Sequence, residues 1–469
     1  MRPKQTPGAP NPLASSESDV RSDDSALTRL ATPIALTQLA QVAVATTNIG
    51  LMGSLGVPEL AAGGLAVVLF NQIRTMAVGL ITATGNQIAT AAGKATKSGA
   101  SADDEIRDIV RGGFLVATGA ALVGALVLIG LAWALPWLGQ DAAVLELARP
   151  MMIALAPGLL PCLWFAALRQ YTVGMQRPQA MLAVTLGAIV VNLGLGVVLM
   201  RWFGLTGIGI ATSVVFGLMF VVFWAIVRRD PKLARTLPTR MWPVQWATVG
   251  SELRLGAPIA LTYGAEAGMF SVLALVVGTA GPDALAAHHV VYQLVYIVFQ
   301  VAIGLSHGAS ILVSSAVARD EHTRARRLAW VAMRQAALVC AVAGVVYVVA
   351  PTLVLRPFLD GADSATVDIA RTLLLVAALL QFADAAQNVA VGLLRGLKDT
   401  KAGLRLSLVG YWVVGVPVAA LLALPFGVVG VWFGLLTGLA VTAALMLRRY
   451  LSLLAQHENQ TDTRELSAA

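Results

Sequence analysis

Glu266 lies near the middle of LGAPIALTYGAEAGMFSVLALVVG (Leu255–Gly278), and Asp384 lies inside TLLLVAALLQFADAAQNVAVGLL (Thr372–Leu394). Each stretch is long enough to cross a bilayer, for which roughly 20 apolar residues suffice. An ionisable side chain at that depth costs about 2.5–3.5 kcal/mol even on lenient insertion scales, so it marks a functional candidate. Desolvation favours the neutral form of a carboxylic acid, which lets a buried one take up and release a proton near working pH. The same oxygens can hold Na⁺, so Glu266 and Asp384 are candidate ligands of either coupling ion. The plain alternative is a neutral acid hydrogen-bonded to a neighbouring helix, which does not exclude proton coupling. Asn388, one turn beyond Asp384, and Gln381 could add oxygens to the site or serve only as interhelical glue.

Other residues could line the same space. His307 is the deepest of three histidines, with His288 and His289, in one apolar stretch; it suits a proton relay or plain packing. Arg74, in LFNQIRTMAVG, needs a partner, a water-filled cavity or a bound anion. Aromatic residues Tyr263, Phe270, Tyr292, Tyr296 and Phe299, with Trp164, Tyr171 and Met175 elsewhere, could hold flat, lipophilic or cationic compounds. The chain has no G-x-x-x-x-G-K-[ST] loop and no H-E-x-x-H helix. ATP hydrolysis and zinc chemistry therefore find no support. No cofactor is expected, and active transport would draw on an ion gradient.

The elements that position these residues must be membrane helices. Of 469 residues, 57% are hydrophobic and 12% charged, and the mean hydropathy is +0.76, far above a soluble domain. Spans are read at 30–53, 60–90, 112–138, 148–168, 179–200, 203–227, 255–280, 284–316, 332–355, 372–394, 406–424 and 426–447. Runs this long exclude a β-barrel, and the expected fold is all-α and polytopic, with twelve transmembrane helices. Residues 1–27, rich in Pro and Ser, read as a disordered cytoplasmic tail without a secretory signal, and 451–469 as a cytoplasmic C-terminal tail. Cys162 and Cys340 sit in apolar segments and read as packing residues.

Basic residues alternate between loops. One side has Lys94, Lys97, Arg107, Arg111, Arg169, Arg177, the run from Arg228 to Arg240, Arg319–Arg334, Arg395–Arg405 and Arg448–Arg449; the other holds little beyond Arg149, Arg201 and Arg356. By the positive-inside rule both termini are cytoplasmic. This pattern also accounts for the net charge of +8 without nucleic acid, with anionic lipid headgroups as the partner. The longest basic connection separates six spans from six, giving lobes at 28–229 and 251–450 around a linker at 230–250.

An internal repeat supports the division. PIALT occurs at Pro33–Thr37 and Pro258–Thr262, an offset of 258 − 33 = 225 that also relates Ala77-Val78-Gly79-Leu80 to Ala302-Ile303-Gly304-Leu305; near the lobe ends Phe203-Gly204 matches Phe426-Gly427 at 426 − 203 = 223. An even number of spans per lobe makes these parallel repeats, suited to rocking about a site between them. Neither acid is duplicated: Glu266 falls on Gln41 (266 − 225), and Asp384 on Cys162 at a local offset of 222. A cation site in the second lobe is the reading.

Four strings resemble motifs of the multidrug and toxic compound extrusion (MATE) family, NorM-like branch, over nearly all of residues 28–450. They are LGAPIALTYGAE (Leu255–Glu266), DAAQNVAVGLLRGLKDT (Asp384–Thr400), ALRQYTVGMQRP (Ala167–Pro178) and TTNIGLMG (Thr46–Gly53). The resemblance implies an antiporter of the cell inner membrane, acting as a monomer, that exports drugs and organic cations in exchange for Na⁺ or H⁺, with Glu266 and Asp384 as coupling acids. Departures bear on the first lobe: Asn48 stands where many members carry an acid, and Asn192 keeps one asparagine of a pair whose other place is Gly196. Leu380 replaces an aromatic residue seen in some relatives. A flippase for a lipid-linked precursor is the alternative, which would favour several cationic residues in the cavity; an intramembrane enzyme is a more distant one, lacking a G-x-G-D string.

Overall fold

In a computed structural model, residues 12–138, 142–238, 240, 242–359 and 363–468 are described. With no water in the hydrocarbon, each apolar run satisfies its own backbone as a helix. The helices are α1 (Pro12–Leu55), α2 (Val57–Ser98), α3 (Asp103–Ala134), α4 (Ala142–Leu155), α5 (Leu159–Gly174), α6 (Gln179–Arg229), the short α7 (Pro231–Ala234), α8 (Trp246–Gly278), α9 (Pro282–Ala318), α10 (His322–Val349), α11 (Pro351–Leu359), α12 (Ser364–Gly396), α13 (Thr400–Leu408) and α14 (Val416–Ala468). A π-helical turn, Val409–Gly415, joins α13 to α14, and a 3₁₀ turn, Ala156–Gly158, joins α4 to α5 into one span.

Among the described residues, ten helical stretches are long and apolar enough to cross a membrane. Two of them hold two spans each. The 51 residues of α6 would extend about 76 Å if straight, far beyond a hydrocarbon core of about 30 Å. Gly204 breaks that run at φ 57°, ψ −136°, and Gly427 breaks the last one at φ 55°, ψ −135°. The chain doubles back so tightly that a Cβ on Gly207 would overlap the Leu199 carbonyl, and one on Gly430 the Leu422 carbonyl. The crossings therefore number twelve, in two six-helix lobes.

The repeat is geometric as well as textual. Gly204 and Gly427 share one backbone conformation at an offset of 223, and Gly56 and Gly281, with positive φ, cap α2 and α9 at 281 − 56 = 225. The repeated sequence motifs are also where the lobes meet. A Cβ on Gly79 would come within 2.6 Å of Ala260 Cα, and one on Gly304 within 2.9 Å of Ala35 Cα. These contacts exchange under the repeat, since 79 + 225 = 304 and 35 + 225 = 260. Small residues let the backbones approach, as in other membrane helix pairs. A polar strut lies beside them: Asn86 Nδ2 on α2 donates to Ser310 Oγ at 2.7 Å and Ser314 Oγ at 2.9 Å on α9. Lys97 pairs with Asp320 at the rim. All of these belong to one end of the molecule, the end of the basic loops, where α2 is buried almost continuously from Gly79 to Gly93. Toward the other end, α1 and α2 carry mostly half-buried and exposed residues.

Two boundaries differ from the sequence reading. Residues 12–27, expected as disordered tail, form the first part of α1, because Asp23 there, 2% exposed, accepts from Arg324 at 2.9 Å and Arg327 at 2.6 Å of α10, and Asp24 accepts from Arg334. The rest of that tail, 1–11, lies outside the described residues. Residues 246–250, assigned to the linker, form the start of α8.

Candidate functional site

α8 and α12 bring the two acids into one buried region. Glu266 is 8% exposed and Asp384 3%, and Glu266 lies within electrostatic range of both Asp384 and Arg395. Asp384 Oδ1 accepts from Asn388 Nδ2 at 3.1 Å, and the same nitrogen donates to Gln387 Oε1 at 3.0 Å. Glu266 Oε1 is buried without a hydrogen-bond partner. Two carboxyl groups in mutual range, one with an unused oxygen, can receive a cation or share a proton between them. Carboxylate and amide oxygens are the donors Na⁺ takes, and Asn388, whose Nδ2 is spent on Asp384 and Gln387, has its own carbonyl oxygen left for that purpose.

The π-helical turn faces this region. Tyr411, fully buried, lies within electrostatic range of both Glu266 and Asp384 with its hydroxyl unpartnered, and Trp412 Nε1 donates to the Ala265 carbonyl at 3.2 Å, beside Glu266. Such turns recur at functional sites because the extra residue re-aims side chains. Tyr292 also lies in range of both acids and stacks in a row, with ring centroids 5.2 Å from Phe270, 6.0 Å from His288 and 6.3 Å from Tyr296. His288 is a packing histidine: its Nδ1 accepts from Trp432 Nε1 at 3.1 Å. Gln381 is buried on α12, its carbonyl accepting from Cys340 Sγ, one turn before Asp384.

The remaining candidates lie apart from the acids. Asn48 and Asn192 are bonded to each other: Asn192 Nδ2 donates to Asn48 Oδ1 at 2.7 Å, and Asn48 Nδ2 to Thr212 Oγ1 at 3.2 Å, while Asn192 Oδ1 is buried without a partner. This first-lobe cluster is neutral throughout. Gln41 is half-buried on α1. Arg74, half-buried on α2, lies beside Cys162, the repeat counterpart of Asp384, and its Nε has no partner. His307, half-buried on α9, sits in the field of Arg169 and Arg395.

Those two arginines correct the sequence reading, which counted them with the loops. Arg169 lies in α5 and Arg395 in the last turn of α12; they are 8% and 4% exposed. Arg169 Nη1 donates to Gln38 Oε1 at 3.0 Å, and Arg395 donates to Tyr263 Oη at 2.9 Å and Ser306 Oγ at 2.7 Å. Gln38 and Tyr263 are repeat partners (263 − 225 = 38), so each lobe ties its fourth span to its first through a guanidinium. A helical side chain leans toward the N-terminus of its helix. Both arginines therefore reach from the basic-loop end back into the bundle. The signal for them was the LR pair in both motif strings; Tyr411, missed as well, carried none.

The MatE family model matches residues 33–198 and 258–421. Two curated relatives, each called probable multidrug resistance protein NorM, are similar over most of both chains. That of a Synechococcus species is 33% identical, covering 92% of this chain and 95% of its own, and that of Pseudomonas aeruginosa 35% identical, covering 89% and 87%. Among solved structures, the eukaryotic MATE transporter AtDTX14 superposes with a TM-score of 0.83 at 18% identity over 94% of this chain and 99% of its own, and the bent form of the Vibrio cholerae MATE transporter VcmN with 0.83 at 17% over 94% and 99%. The chain thus belongs to the MatE family, the multidrug and toxic compound extrusion transporters, in its NorM-like branch, and it is a multi-pass membrane protein rather than an enzyme.

Proposed function

We propose that this protein exports lipophilic and cationic toxic compounds from the cytoplasm across the inner membrane, as a monomer with both termini cytoplasmic, by antiport against Na⁺ or H⁺. The observation that carries the reading is the buried pair Glu266 and Asp384 in one lobe, with Glu266 Oε1 unpartnered. The names of the relatives, probable multidrug resistance protein NorM, support export of drugs. Lobes joined at the basic-loop end and parted toward the other suit alternating access, with the cavity in this conformation facing away from the cytoplasm. A cation entering from outside would relieve the repulsion of the two carboxylates. Its release on the other side would leave them charged and poised for substrate.

The test is efflux of a fluorescent lipophilic cation from vesicles holding the purified protein, with a Na⁺ gradient and a proton gradient imposed separately. Transport under one gradient, abolished in Glu266→Gln and Asp384→Asn, is the expected result and names the ion. Normal efflux in both variants would sink the mechanism.

One observation favours a second reading, a flippase for an anionic lipid-linked precursor. Arg74, Arg169 and Arg395 all lie within the spans beside neutral polar groups. Two of the three serve as matching ties within the lobes, which leaves Arg74 as the one of these three not so tied and keeps antiport first. Absence of transport under either gradient, with movement of a lipid-linked pyrophosphate between leaflets, would reverse the order.

A further inference from the structure

The interface between the lobes holds a further buried acid, one without the arginine partners that Asp23 has. Glu252, on the first turns of α8, is 0% exposed. Neither carboxyl oxygen makes a well-aligned hydrogen bond, and the polar side chain within reach is Thr84 of α2. Gly112 of α3 lies against the carboxyl, since a Cβ there would come within 3.4 Å of Oε1. Glu252 is a residue of the second lobe held between two helices of the first.

The repeat shows that packing alone does not call for an acid at this place. The counterpart of Glu252 is Leu27 (252 − 225), also 0% exposed, whose Cδ1 lies 3.1 Å from where a Cβ on Gly308 of the opposite lobe would be. One lobe seals with a leucine and the other with a carboxyl group. Nor is there a charge to compensate it. On α3, Asp108 and Arg111 pair with each other at 2.9 Å and are tied to the linker through Gln245 and the Arg240 carbonyl. On α2, Lys97 is paired with Asp320, and Lys94 is exposed at the rim; on α8 itself, Arg254 is exposed; on α13, Lys401 and Arg405 are exposed. α9 meets α8 toward its other end, at Phe270, and the π-helical turn meets it there at Ala265. No charged group acts on Glu252 among the described residues.

We propose that Glu252 is a second proton-binding site, separate from Glu266 and Asp384, and that the lobes close at the basic-loop end only over its protonated form. It lies 266 − 252 = 14 residues from Glu266, about 21 Å along the helix, so the two sites face different compartments when the lobes rock. A charged carboxylate enclosed with one neutral hydroxyl in reach and no positive charge is strongly disfavoured, whereas a neutral one can exchange a hydrogen bond with Thr84 at little cost. When the lobes part at this end, Glu252 meets water and gives up its proton. Closing takes one up again from the same side, so the step makes the cycle sensitive to pH there without adding a transported proton.

The inference rests on the alternating-access reading, and its test reads lobe separation rather than export. Spin labels at Ser98→Cys on α2 and Thr323→Cys on α10, both exposed at the sealed end, report closed and open populations; the native cysteines are buried. A Glu266→Gln, Asp384→Asn background removes the other titrating pair. The closed-to-open ratio should fall by about tenfold per pH unit as pH rises above the ordinary glutamate value of about 4.3 that the open form regains, as release of one proton requires. In Glu252→Gln, and in Glu252→Leu should the glutamine variant fail to fold, the ratio should stay high and flat. Gly112→Ser, which offers a hydroxyl to an ionised Glu252, should carry the closed state to higher pH. A ratio independent of pH in the parent, or the same slope in Glu252→Gln, would overturn the proposal. Closure that follows pH in a protein that moves no drug would refute the export reading alone.

Discussion

Asn86 gives the most direct access to what holds the lobes closed. Its Nδ2 has two hydrogens and three acceptors within reach on the opposite lobe: Ser310 Oγ at 2.7 Å, Ser314 Oγ at 2.9 Å and the Ser310 carbonyl at 3.3 Å. All are buried, and all are lost when α2 and α9 separate. In Asn86→Ala the serines keep some compensation, because Ser314 Oγ already donates to the Gly396 carbonyl at 3.1 Å and a hydroxyl can rotate. Two hydrogen bonds at about 1 kcal/mol each then vanish from the closed state alone. The closed form should lose about 2 kcal/mol, a factor of roughly 30 in its population relative to the open form. A cysteine at Ser315, 7% exposed in the same seam, can be modified from the basic-loop side only when the lobes part. Its labelling rate by a water-soluble thiol reagent should rise about 30-fold in Asn86→Ala. A rise of less than about threefold, under roughly 0.7 kcal/mol by the same conversion, in a protein of unchanged melting temperature would show that the strut does not clamp the lobes.

Arg395 joins α12 to α8 and α9 through Tyr263 and Ser306. With about 1.5 kcal/mol or more for each hydrogen bond from a charged donor, Arg395→Ala should destabilise the second lobe by about 3 kcal/mol, seen as a lowered melting temperature in detergent, and Arg395→Lys should recover part of that loss. Outside the membrane, desolvation tends to raise the pKa of Asp230, yet the hydrogen bonds from the Lys232 backbone and the Arg177 side chain outweigh it and hold the group below the ordinary carboxylate value. Its contribution to α7 is therefore present above the unfolded value of about 3.9 and lost as pH falls through the lowered one. Proteolysis of the linker should be slow at neutral pH and faster in acid, and Asp230→Asn should cleave faster already at neutral pH; equal rates would refute the capping role.

What could be read in the sequence, and what could not, follows from which helix determines a residue's surroundings. The spans were legible because crossing hydrocarbon is a property of a segment's own composition, and the repeat because the residues it preserves, Gly79 with Ala260 and Gly304 with Ala35, are those that must be small for the lobes to touch. The turns at 200–203 and 424–426 were legible as breaks between spans, but that Gly204 and Gly427 make them was not, because a positive φ is not visible in residue type alone. Residues 12–27 read as disordered because their acids are polar on every face; order comes from Arg324, Arg327 and Arg334, some 300 positions away. Arg169 and Arg395 were placed with the loops by counting positions from the helix ends, whereas a guanidinium reaches back by more than a turn. Glu252 stands three residues before the apolar run at Leu255, outside any span drawn from hydropathy, and its burial is written instead in Gly112 and Gly113, on a helix of the other lobe. A membrane transporter that opens between lobes must place such residues at the seam. There the cost of charge depends on the conformation, and a side chain buried by a neighbour that later departs can report the departure.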